Sequence, residues 1–159
     1  MEQTLPTKYR MSKGVGYGKT RITAFDKALL NAGVGNYNLV RLSSILPMET
    51  TRADSIGMPM GSLLPIAYAE AIIHEKGIAK AAVAIGRPVD KSLCNVIMEY
   101  ETTDPDENAE EIVRAMVEEG FKARAWELES IESVEAVAWL PDKGMAEYGV
   151  AFACVAEWS

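Results

Sequence analysis

The stretch Tyr148-Gly-Val-Ala-Phe-Ala-Cys-Val-Ala-Glu-Trp158 constrains this chain most, because it is apolar at odd and even positions alike. Side chains on a strand alternate between two faces, so a strand apolar on both must be covered on both. At 159 residues, 48% of them hydrophobic, the chain can build one core of that kind, and a second domain is not expected. The partners of this strand are legible elsewhere. Thr7 to Tyr17 carries Tyr9, Met11, Val15 and Tyr17 on one parity and predicts an edge strand. Gly61 to Glu75 reads as a bent strand, or as a strand preceded by a turn, because Pro65 interrupts it. Ile78 to Ile85 is alanine-rich, but Gly77, Gly86 and Pro88 leave room only for a strand. Leu93 to Tyr100 is a compact apolar strand. Ala123 to Leu140 is another, with its phase changing near Ser130 and Ile131 as at a bulge. Gly144 marks the turn into the last strand.

Two helices complete the pattern. Thr23 predicts an N-cap for a helix to Asn31 with Phe25, Ala28, Leu29 and Ala32 on its buried side and Gly33 as its stop. Asp104-Pro105-Asp106-Glu107 predicts the start of a second helix, with a cap, a proline at the first helical position and acids in the first turn. Its stripe is Ala109, Ile112, Val113, Met116 and Val117, Gly120 ends it, and Glu110 can pair with Arg114. Several strands with two helices and short connections make an α+β domain. Residues 1 to 6 are expected to be loose, and Met48 to Pro59 to be a surface loop.

Composition removes several functions. The net charge of −7, with no basic cluster, argues against nucleic acid. Cys94 and Cys154 both lie in apolar runs and read as buried thiols, while one histidine, His74, makes no histidine-rich metal site. No membrane segment or leader is apparent, which makes the cytoplasm the default. Gly14-Val-Gly-Tyr-Gly-Lys-Thr20 invites a phosphate loop, but Lys13 stands where that motif needs its first glycine, so the stretch is read as a glycine-rich turn.

Chemistry concentrates in Gly35-Asn-Tyr-Asn-Leu-Val-Arg-Leu-Ser-Ser-Ile-Leu-Pro47. Asn38 to Leu42 alternates as a strand and runs into two hydroxyls, with Pro47 forcing an end soon after. Ser44 Oγ lies next to the carbonyl of Ser43, so a suitably held backbone lets it attack and turn the amide into an ester. An amide donor such as Asn38 is the kind of group that stabilises the resulting oxyanion. β-Elimination would then free Ser43 as a C-terminus and leave dehydroalanine at 44, which hydrolyses to a pyruvoyl group. On residues alone, a serine pair that merely ends a strand is the more ordinary reading, since such dipeptides are common. Glu99 shares a strand face with Leu93, Asn95 and Ile97; held there, its carboxyl has a raised pKa and can donate a proton to a carbanion, and reaching water at the strand end it does neither.

Asn31-Ala-Gly-Val-Gly-Asn-Tyr-Asn-Leu-Val-Arg-Leu-Ser-Ser-Ile-Leu-Pro47, Met60-Gly-Ser-Leu-Leu-Pro65 and Lys91-Ser-Leu-Cys-Asn-Val-Ile-Met-Glu-Tyr100 together resemble the pyruvoyl-dependent arginine decarboxylase family of archaea and some bacteria. The resemblance runs from about Ile22 to the C-terminus. It implies a four-layer αββα sandwich and self-cleavage into a small chain, 1–43, and a pyruvoyl-bearing chain, 44–159. It also implies a homotrimer with active sites between protomers, and decarboxylation of L-arginine to agmatine through a Schiff base on the pyruvoyl group, without pyridoxal phosphate or metal. By the same resemblance Ser44 is the source of the pyruvoyl, Asn38 assists cleavage and Glu99 reprotonates the product. Asp26 binds the guanidinium, and Gly35 and Ser43 line the substrate site. A decarboxylase for another amino acid and an uncut, non-catalytic binding protein are the alternatives.

Overall fold

A computed structural model describes residues 4–142 and 148–159, so the expectations for Gly144 and for residues 1–3 lie outside the described residues. In chain order the elements are β1 (Lys8–Gly18), α1 (Arg21–Asn31), β2 (Asn38–Arg41), β3 (Ile45–Leu46), β4 (Thr51–Arg52), β5 (Leu63–His74), β6 (Gly77–Pro88), β7 (Asn95–Thr102), α2 (Ala109–Arg124), β8 (Leu128–Leu140) and β9 (Tyr148–Trp158). One sheet has the order β2-β5-β9-β1-β4 and the other β3-β7-β6-β8. As expected, β9 is central and buried along nearly its whole length. Its Ala151, Ala153 and Val155 face the second sheet, with Ala79, Ala81, Val83 and Ile85 of β6 in the same core. Its Val150, Phe152 and Cys154 lie beneath α1 with Ala24, Ala28 and Leu29. Val113, Val117 and Phe121 of α2 close the far side over Ala82, Ala84 and Val96; burying each large side chain contributes roughly 1.5–3 kcal/mol. The order of layers is α1, sheet, sheet, α2, the αββα sandwich.

Three local readings change. Gly14, Gly16 and Gly18 lie on β1 itself, where a Cβ at Gly14 would stand 2.1 Å from the Ala28 carbonyl oxygen and one at Gly16 2.1 Å from that of Ala24. The glycines are a flat seat for α1, not a turn. The N-cap of α1 is Thr20 rather than Thr23: the Thr23 amide donates to Thr20 Oγ1 (3.2 Å) and the Thr20 amide donates to Thr23 Oγ1 (3.3 Å). Helix α2 starts at Ala109 behind an Asn108 cap, not at Asp104. Lys80 donates to the Pro105 and Glu107 carbonyls, and Tyr100 and Thr102 hold the Glu107 carboxylate, so this segment is tied to the sheet before it can wind.

The end of α2 also differs from expectation. Gly120 lies inside the helix, where a Cβ would come within 2.7 Å of the Met98 methyl, and the chain turns at left-handed Ala125 instead (φ 56°). Consequently β8 begins at Leu128, and its register slips where Pro88 pairs with Leu128 and Arg87 with Ser130, at the position of the expected phase change. Glu110 and Arg114 meet through the Ser133 hydroxyl. The loop from Met48 contains the two-residue β4, which leaves β1 one place in from the sheet edge. Elsewhere the local signals hold. Gly33 takes a left-handed φ of 80° after α1, with the Val34 amide donating to Leu29 and that of Gly33 to Leu30, and Leu29 and Val34 buried together.

Cys154 is buried against Ser12, and burial pushes its thiol up to about 11, whereas Cys94 is only half-buried. Among the described residues no helix is long and apolar enough to cross a membrane.

Candidate active site

Strand β2 is an edge strand, paired in parallel with the first residues of β5, and the ladder ends where the Leu42 amide donates to the Ile66 carbonyl at 2.8 Å. Two residues later the chain belongs to the other sheet: the Ile97 amide donates to the Ser44 carbonyl at 2.7 Å, and Ile45 pairs with Val96. Ser43 and Ser44 are therefore the crossing between the sheets. Local sequence explains why it falls here. Leu42 packs at the inter-sheet core and Leu46 is fully buried in it, leaving two small polar residues to span the gap. Asn95 then donates to the Pro47 carbonyl at 3.2 Å and pins the far side. The peptide between Ser43 and Ser44 is thus held from both ends, with Ser43 exposed and Ser44 half-buried.

Beside this crossing the second sheet presents carboxylates. On β7 Asn95 and Ile97 face the first sheet, and Glu99 and Glu101 continue that face past the end of β3. Opposite them β5 has lost β2 as a neighbour, and its edge groups find side chains instead. Arg41 donates to the Tyr68 carbonyl (2.9 Å) and to Glu99 Oε1 (3.2 Å), its guanidinium 4.2 Å from the centre of the Tyr68 ring. The Glu70 amide donates to Glu101 Oε2 at 2.8 Å. A cavity of about 310 Å³ opens here, lined by Arg41, Tyr68, Ala69, Glu99, Tyr100 and Glu101.

The electrostatics single out Glu99. Its Oε2 is buried and has no hydrogen-bond partner among the described residues. Burial raises its pKa above the ordinary carboxylate value, Arg41 and, more weakly, the Tyr68 backbone pull the other way, and the neighbouring Glu101 charge adds to the rise. Glu70 is raised as well, mainly by burial and against the pull of Arg21, 3.8 Å away. Three carboxylates thus gather around Arg41.

Of the residues expected from sequence, Ser43, Ser44 and Glu99 are brought to one end of β2. The others are not. Asn38 opens β2, its amide donating to the Gly61 carbonyl at 2.8 Å; at about 3.3 Å per residue it stands roughly 13 Å from Leu42, at the other end of the strand from the crossing. Gly35 precedes it, closed against Leu30, and Asp26 is exposed on α1. Arg41, Tyr68, Glu70 and Glu101 were missed. Arg41 adjoins the serine pair and had that proximity as a signal, while nothing local marks Tyr68 or Glu70.

A family model for pyruvoyl-dependent arginine decarboxylase matches residues 8–157. A protein of that name from Methanocaldococcus jannaschii is 43% identical over 155 residues, covering 97% of this chain and 91% of its own. One from Pyrococcus abyssi is 40% identical over 149 residues, covering 92% and 94%. One from Methanococcus vannielii is 38% identical over 154 residues, covering 96% and 91%. Among solved structures, that of a pyruvoyl-dependent histidine decarboxylase overlaps 64% of this chain and 52% of its own at 14% identity, with a TM-score of 0.48.

Proposed function

The chain belongs to the pyruvoyl-dependent arginine decarboxylase family, and on that footing we propose that it cuts its own backbone between Ser43 and Ser44 and then converts L-arginine to agmatine and carbon dioxide. The observation that carries this reading is the crossing itself: a serine pair held from both sheets, next to a half-buried acid with one buried oxygen that is unpartnered among the described residues.

The cut needs no outside reagent but water. Ser44 Oγ adds to the Ser43 carbonyl carbon, the Ser43–Ser44 C–N bond breaks, and the hydroxyl proton goes to the departing nitrogen. Loss of the Ser44 α-proton then expels the Ser43 carboxylate and leaves dehydroalanine, and hydrolysis releases ammonia and leaves the pyruvoyl carbonyl. The products stay in place, since residues 38–42 remain laddered to β5 and Ser44 remains bonded to Ile97.

Formed in this way from Ser44, the pyruvoyl group supplies a carbonyl that takes the substrate α-amine and the electrons released with carbon dioxide. The residues around it fit that use. Glu99 projects into the cavity by the crossing and is disposed to hold a proton, which it delivers to the carbon that lost its carboxyl. Asp26, which pairs with the guanidinium tail, and Asn38 and Gly35, which line the substrate site, come from a neighbouring protomer of a homotrimer. Their absence from the lining of the cavity that holds Glu99 supports that arrangement, as do exposed Val40, Met60 and Leu63 along the β2 edge.

Mass spectrometry of the purified protein tests the proposal: two masses, with the larger fragment blocked at its N-terminus by a carbonyl, together with carbon dioxide released from labelled arginine. A single uncut mass in active protein refutes it.

A further inference from the structure

We propose that Arg41 is a positioning residue, one that clamps Glu99 as a carboxylate in the uncut chain and is drawn away from it by the carboxylate that cleavage creates at Ser43. The inference rests on the self-cleavage reading and adds to it a reason why the acid is poised only after the cut.

Glu99 makes its described hydrogen bond to Arg41 through Oε1, while Oε2 is buried and unpartnered. A carboxylate held by a guanidinium is a poor proton donor, and among the described residues Arg41 is the one cation that faces it. From β7 come Glu101 and Tyr100, and from β5 Tyr68, with Glu70 beyond Arg41. In the intact chain Arg41 therefore opposes the burial that raises this carboxyl, and among side chains it alone does so. That side chain is on β2, two residues before Ser43. In an extended segment, residues two apart point to the same side about 7 Å apart, within reach of an arginine. Cutting converts the neutral Ser43 carbonyl into an exposed carboxylate on the same short segment as Arg41, and a bidentate pair can form there. Arg41 is itself about half exposed, so the exchange needs a rotation of one side chain and no movement of a strand. Released, Glu99 keeps its burial and its Glu101 neighbour and loses the one cation beside it among the described residues, so it takes up a proton. Self-cleavage and arming of the acid become one event.

The test is a carbon-13 carboxyl titration of Glu99, its signal assigned by its loss in Glu99→Gln. Uncut Ser44→Ala is expected to titrate lowest. Adding Arg41→Met should raise Glu99 by about one pH unit, a tenfold tighter hold on its proton, and processed wild type should match the double variant. Coincidence of processed wild type with Ser44→Ala overturns the hand-over, and an Arg41→Met change that moves nothing overturns the clamp. Should Ser44→Ala not fold, the alkaline limb of kcat in processed Arg41→Met decides. A limb at the wild-type pH is expected, and one moved up by about one pH unit, to a tenfold lower proton concentration, shows Arg41 still on Glu99 after the cut. Wild type that never cuts sinks both this inference and the cleavage reading, and is recognised by its single mass.

Discussion

Ser44 hands its carbonyl to the Ile97 amide at 2.7 Å, which ties the residue on one side of the expected cut to the second sheet, while Leu42 on the other side is tied to the first. The covalent crossing is thus backed by hydrogen bonds that do not depend on it. At the opposite edge of the sandwich the sheets are joined again. Glu132 of β8 pairs with Arg52 and accepts a bond from Arg87 (2.9 Å), with the Tyr9 hydroxyl donating to it at 3.1 Å.

Cleavage should therefore leave the architecture whole. Ser44→Ala is expected to give one folded, uncut chain of full mass that releases no carbon dioxide from arginine. In processed wild type, residues 1–43 should co-elute with 44–159 in native gel filtration and separate only in denaturant. Loss of the small chain under native conditions would show that the crossing, and not the sheets, holds it.

Glu99→Gln should cut normally and turn over slowly, since general acids contribute roughly 10²–10⁴ in rate. The wild-type pH dependence has a definite sign. Burial raises the Glu99 pKa, so the protonated donor is present below that raised value and lost as pH rises through it; kcat should fall on the alkaline side. An unchanged limb in Glu99→Asp would assign the titration to another group.

Gly16→Ala should cost about 3 kcal/mol or more, at or beyond the upper end for overpacking, because its Cβ would meet the Ala24 oxygen at 2.1 Å and the Ala28 nitrogen at 2.4 Å, both backbone atoms. Gly57→Ala, with nothing within 4 Å, is the control and should be near neutral. Equal denaturation midpoints for the two variants would mean that α1 is not seated on β1 as described.

Glu157 lies 5% exposed on β9 with Oε2 unpartnered, and burial raises its carboxyl from 4.5 to about 7. The folded state then holds this proton more tightly than the unfolded chain, so the contribution of Glu157 to stability is greatest below about pH 4.5, falls as pH rises toward about 7 and is flat above. Glu157→Gln removes that loss and should exceed wild type by at most about 3 kcal/mol at pH 8, with the gap closing at pH 4.5. Parallel stability curves across this range would contradict the assignment.

Much was readable without coordinates, and the parts share a cause. The doubly apolar β9, the glycine stop after α1 and the strand ending at the serine pair all follow from side-chain alternation, backbone sterics and hydrogen bonds within a few residues. Where local chemistry had to compete with distant partners, the reading failed. Asp104 and Pro105 have every feature of a helix start, yet Lys80 and Tyr100 hold that turn to the sheet and move the start to Ala109. Gly14 and Gly16 look like a turn until α1 is laid across them. The site divides in the same way. The amino-acid order alone determined the serine pair and put Glu99 on the face of Ile97. Only the tertiary structure decided that Glu99 meets Arg41, 58 positions away, beneath the edge left by β2. That contact depends on the register of two sheets and the gap between them, and no stretch of neighbouring residues encodes a distance of that kind.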